Sequence, residues 1–137
     1  MEDRLRARSR SRTTLLLAGV GIALLALALA VGVNDNPPGI GLAYLAIGAL
    51  ILAVAHRWRE PRKFLWLLLV SALALVFFGF VHNLGYAAAE SETAAWFKAI
   101  MGAASVTGFV LAVLVCPAGC VIGVVGALWA RARGARE

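Results

Sequence analysis

Four side chains in this 137-residue chain have the chemistry to bind or react: His82, Asn83, Cys116 and Cys120. Cys116 and Cys120 are four positions apart, so on a helix they share one face. Two thiols on one face could form a redox pair or part of a soft-metal site. A disulfide inside one regular helical turn is geometrically awkward, and the competing reading is that both cysteines serve as small packing residues. His82 and Asn83 are adjacent in a strongly apolar stretch, where an imidazole and an amide must find partners. They could contact a ligand, a metal or a quinone-type ring. They could equally hold two helices together through a hydrogen bond to Ser105 or Thr107. A lone histidine is a weak metal signal, because a site needs several ligands, so no metal and no cofactor is expected.

The sequence around these residues shows what positions them. The chain is 62% hydrophobic and carries 13 lysines and arginines against seven acidic residues. Its mean hydropathy of +0.88 lies well above that of a soluble domain. The charges sit in clusters with long apolar runs between them, as expected when lipid is the solvent. Four spans follow: about 13–33, 40–55, 64–88 and 95–130. The first ends at Asn34-Asp35-Asn36-Pro37-Pro38-Gly39, where two prolines stop one helix and favour the start of the next. Trp66 and Tyr86 fit the two interfaces of the third span. The fourth is longer than an upright crossing needs, and Pro117 is the expected kink. A re-entrant break at Cys116-Pro117-Ala118-Gly119-Cys120 is the alternative. The arginines, the leucine-rich run and Ala28-Leu29-Ala30 also have the form of a cleavable signal peptide, although the run is long for one.

Orientation follows from lysine and arginine. Arg4, Arg6, Arg8, Arg10 and Arg12 precede the first span. Arg57, Arg59, Arg62 and Lys63 lie between the second and third, and Arg131, Arg133 and Arg136 follow the fourth. Lys98 alone falls on the other side. The expectation is an all-α integral membrane four-helix bundle in the cell membrane, with both termini cytoplasmic. It comprises a basic arm (1–12), a membrane domain (13–130) and a basic tail (131–137).

The partners this implies are the bilayer and its anionic headgroups, met by Arg4, Arg6, Arg8, Arg10 and Arg12 at about 1 kcal/mol per basic residue. The arm has no interleaved aromatic residue to stack on bases, which argues against nucleic acid.

Small residues provide the remaining signal. Ala104, Gly108, Ala112, Cys116 and Cys120 form one ridge, Gly119, Gly123 and Ala127 another, and Gly19 with Ala23 a third. Such ridges let helix backbones approach closely in lipid, within one chain or between copies.

Charged groups are missing from the interiors of the spans. Proton-coupled transporters usually place an ionisable group there, and small multidrug exporters depend on a glutamate in the first of four helices. Membrane thiol oxidoreductases such as the vitamin K epoxide reductase family use Cys-x-x-Cys. The spacing here is Cys-x-x-x-Cys, with no second, loop-borne pair. At His82-Asn83-Leu84-Gly85-Tyr86, with Val115-Cys116-Pro117 and Gly123 in the last span, the second half resembles small four-span prokaryotic membrane proteins of unassigned function. That resemblance implies no activity. The expected role is non-enzymatic: an accessory subunit, scaffold or oligomer acting through helix association. The alternatives are an oligomeric small-solute channel or transporter, and a thiol redox or metal-binding protein using Cys116 and Cys120.

Overall fold

The computed structural model describes residues 2–33, 36–91 and 94–134, with side chains described from Ser11 onward except at Asn34, Asp35, Glu92 and Thr93. The side chains of Arg4, Arg6, Arg8 and Arg10, and all of Asp35, Glu92 and Arg136, therefore lie outside the described part. The described chain is helical: α1 (Glu2–Val31), α2 (Pro37–Ala55), α3 (Pro61–Ser91) and α4 (Ala95–Gly134). All four include segments long and apolar enough to cross a membrane: Ser11–Val31, Pro37–Ala55, Pro61–Ser91 and Ala95–Gly134.

The boundaries follow from local chemistry. α1 starts eleven residues ahead of the expected span, because nothing in the arginine-rich arm breaks a helix. It stops at Gly32, whose φ of +89° is a left-handed cap that other residues adopt at a cost. The Gly32 amide donates to Ala28 O at 2.9 Å, and Asn36 Nδ2 donates to Val31 O at 2.9 Å. A Cβ on Gly39 would lie 1.7 Å from Gly32 O, so this turn requires glycine on both sides. α2 begins at Pro37 and α3 at Pro61, where a missing amide costs nothing. α3, with 31 residues, is about 46 Å long. It exceeds a simple crossing, as α4 does, whereas the sequence pointed to excess length only in α4.

The packing order is α1–α2–α4–α3. α1 lies along α2, α3 lies along α4, and the second half of α4 together with its central turn meets α2. Between α1 and α3 the arrangement stays open: Leu15, Leu16, Val20, Ile22, Leu27 and Leu29 are all exposed. The buried hydrophobic side chains among the described residues are Ala28, Ala43, Ala46, Ala53, Ala55, Ala112, Cys116, Ala118, Ala127 and Ala130, with Phe64 the one large member. This inverts a soluble core. In lipid, large apolar side chains lose nothing by facing outward, and small ones gain by letting backbones touch.

Candidate functional site

The α3–α4 seam carries two of the four chemistry-bearing residues, His82 and Cys116. A Cβ on Gly85 would lie 2.9 Å from Met101 O, one on Gly108 2.9 Å from Phe78 O, and one on Gly123 2.8 Å from Leu68 N. These are backbone-to-backbone approaches that only glycine permits. The seam on α4 runs Ser105, Gly108, Ala112, Cys116, Gly119, Gly123, Ala127 and Ala130, all buried. The two ridges read from the sequence thus merge into one, passing from the first row to the second between Cys116 and Gly119. Ala104 and Cys120 fall to its flank, only partly buried.

Just before that passage α4 makes a π-helical turn over Leu111–Val115, where the Cys116 amide donates to Leu111 O rather than to residue 112. A π turn inserts one extra residue into an α-helix. The buried row passes through this turn and stays on α3: Gly108, Ala112 and Cys116 are two successive steps of four, as are Gly119, Gly123 and Ala127 in the regular helix beyond.

Pro117 follows directly. In α geometry the Val113 carbonyl would receive the amide of residue 117, which proline lacks. The Tyr44 hydroxyl of α2 donates to Val113 O instead. Tyr44 therefore ties the two halves of the molecule together at the point where α4 is weakest. The sequence reading did not single it out. The available signal was a tyrosine near the middle of an apolar span, a position that requires a polar partner. The segment 116–120 is helical within a helix that continues to Gly134, which removes the re-entrant alternative.

His82 crosses the same seam. Its Nδ1 lies 3.0 Å from Ser105 O and 3.0 Å from Ser105 Oγ, and Ser105 Oγ donates to His82 O at 3.1 Å. With Nδ1–H donating to the Ser105 carbonyl, the pair forms a two-way clasp between α3 and α4. The His82 ring also packs against Phe109, with centroids 5.3 Å apart. Asn83 turns away: it is exposed, and its Nδ2 donates to Gly79 O, one turn back, at 2.8 Å. The adjacent pair is thus split, one residue in the seam and the other outside. Ser105→Ala removes one arm of the clasp while the backbone acceptor for Nδ1 remains. The expected cost is about 0.6 kcal/mol, measured as a small drop in the unfolding midpoint in detergent.

The remaining candidates do not converge. Cys116 is buried in the seam, Cys120 is partly buried, and both are free thiols. Ser105, the partner of His82, lies 11 residues before Cys116, about 16 Å of helix. No three His, Cys, Asp or Glu side chains gather as a metal cluster among the described residues. Gly19 and Ala23 are exposed on α1, and a Cβ on Gly19 would meet nothing within 4 Å. The face of α1 turned to α2 is instead the one carrying Gly21 and Ala28. Gly19 and Ala23 fall outside that row, because the inward positions recur at steps of three and four from Thr14.

The basic clusters collect at one end. Arg57 Nη2 donates to Thr14 Oγ1 at 2.9 Å, joining the start of the apolar segment of α1 to the α2–α3 connection. A cleft of about 350 Å³ places Arg59, Glu60 and Pro61 beside Arg131 and Arg133.

Fold and site together define a class: an all-helical chain with four membrane-compatible helices, zipped by small residues. No family model matches this chain, nor does any curated protein or solved structure. Its functional reading rests on geometry.

Proposed function

We propose that this chain is a non-enzymatic, multi-pass protein of the cell membrane that works by lateral helix association, as an oligomer or as an accessory subunit. The observation that carries the reading is the outer face of α1. Gly19, Ala23, Ala26 and Ala30 are all exposed there, at the three- and four-residue steps that other parts of the molecule use to pack helices. Small residues facing lipid create a shallow groove that another helix can fill. The gathered basic residues set this face in a bilayer with both termini cytoplasmic, by the lysine and arginine bias.

Light scattering of the protein in mild detergent tests this. The wild type is expected as a dimer or larger species, or with a co-purifying partner. Gly19→Ile with Ala23→Ile is expected to weaken association about tenfold or more, equivalent to about 1.4 kcal/mol, while helicity stays unchanged. A strictly monomeric wild type that co-purifies with nothing, or association indifferent to both substitutions, would sink the reading.

A further inference from the structure

At the basic end, an apolar groove of about 430 Å³ is lined by Leu52, His56, Trp58, Phe64, Val125 and Trp129, among others. Trp129 also lines the cleft that holds Arg59, Arg131 and Arg133. We propose that groove and cleft together form a binding site for one anionic glycerophospholipid, with its phosphate on the three arginines and an acyl chain along the groove.

Four observations support this occupant. The first is charge. The acid in the cleft, Glu60, is engaged by Lys63 at 3.0 Å, and Arg59, Arg131 and Arg133 have no acidic partner among the described residues. The second is order: the Arg133 guanidinium stacks 3.7 Å over the Trp129 ring, which fixes a cation where groove and cleft adjoin. The third is access. Leu52, Val121, Val125 and Trp129 are largely exposed, so the groove opens sideways to the acyl chains of a bilayer rather than enclosing a soluble metabolite.

The fourth is an orphan. His56 Nδ1 lies 3.1 Å from Leu52 O, whereas its Nε2 is buried with no partner. A buried polar atom in an apolar wall is costly until something bonds to it. A lipid oxygen meets that need, either as a hydroxyl donating to the neutral ring or as a phosphate or ester oxygen accepting from the protonated one. Basic pockets between membrane helices on the cytoplasmic side suit such headgroups in general.

Native mass spectrometry of the full-length protein, offered equal amounts of dioleoyl phosphatidylglycerol and dioleoyl phosphatidylcholine, tests this. One phosphatidylglycerol per chain is expected to be retained, at least about tenfold over phosphatidylcholine. Arg59→Gln with Arg131→Gln and Arg133→Gln is expected to abolish that preference. Val125→Trp, which fills the groove, is expected to release the lipid, and Lys98→Gln, at the other end, to change nothing. Soluble glycerol phosphate is expected not to displace the lipid. Equal retention of both lipids overturns the proposal. So does a preference that survives the triple substitution, retention unaffected by Val125→Trp, or displacement by glycerol phosphate. Helicity and elution volume matched to wild type establish that each variant is folded.

Discussion

Gly123→Ala is expected to cost about 1–3 kcal/mol of stability, and Gly123→Leu to reach or exceed the upper end of that range. The added Cβ would stand 2.8 Å from Leu68 N and 3.0 Å from Leu68 Cα. These are atoms of the α3 backbone and cannot swing aside as a side chain tip can, so α3 and α4 must separate locally. Because both are long, rigid helices, a separation at one point strips contact from neighbouring turns. The loss includes dispersion, which in lipid is a principal source of helix affinity. Gly102→Ala is the internal control. A Cβ there meets nothing within 4 Å, and replacing a helical glycine with alanine is favourable by up to about 1 kcal/mol. Unfolding by a graded denaturing detergent, followed by circular dichroism, measures both. Identical midpoints for Gly123→Leu and Gly102→Ala would show that the seam contributes nothing to holding the helices together.

Tyr44→Phe is expected to cost about 1–3 kcal/mol, the penalty of leaving a lipid-facing carbonyl without its donor. The substitution keeps the ring and removes only the hydroxyl that serves Val113 O. In water such a carbonyl would be rehydrated, but inside a bilayer it has little alternative. Pro117→Ala provides the decisive second arm, because alanine returns an amide at the position that normally bonds residue 113. The double variant is expected to recover part of the loss, giving a coupling of about 1 kcal/mol in a double-mutant cycle. Purely additive effects would mean that the tyrosine does not compensate for the proline. Since Tyr44 links α2 to α4, its loss is also expected to loosen one hairpin against the other. Limited proteolysis at the 56–60 connection would register this as faster cleavage.

The open packing order bears on both proposals. α1 touches α2 and leaves its small-residue face bare, so association through α1 requires no rearrangement of the remaining helices. The lipid groove lies at the basic end between α2 and α4, on the contact joining the two hairpins. A lipid held there would brace the same contact that Tyr44 secures nearer the middle of α4.

Much of this molecule was legible in its residues. Hydropathy placed four helices because a bilayer core demands apolar runs of a set length, and Pro37-Pro38 marked a helix start because proline suits a first turn, whereas the start of α3 at Pro61 fell in what the sequence pointed to as a loop. The small-residue rows in α4 were visible at four-residue steps. His82 was visible as a polar residue needing a partner in Ser105 or Thr107, and the structure places it on Ser105. All of these depend on single helices or on the solvent.

Other features depended on how helices meet, which no single helix encodes. The two apparent ridges join into one seam at the three-residue step from Cys116 to Gly119, a crossing that four-residue periodicity does not show and that the position of α3 selects. Tyr44 and Val113 are 69 positions apart, so their bond exists only once α2 crosses α4. Gly19 and Ala23 resemble Gly108 and Ala112 in composition and spacing, yet one pair faces outward and the other faces α3. The sequence alone determined which residues could let helices approach. Only the tertiary structure decided which of them do, because a helix presents all its faces equally until a neighbour selects one.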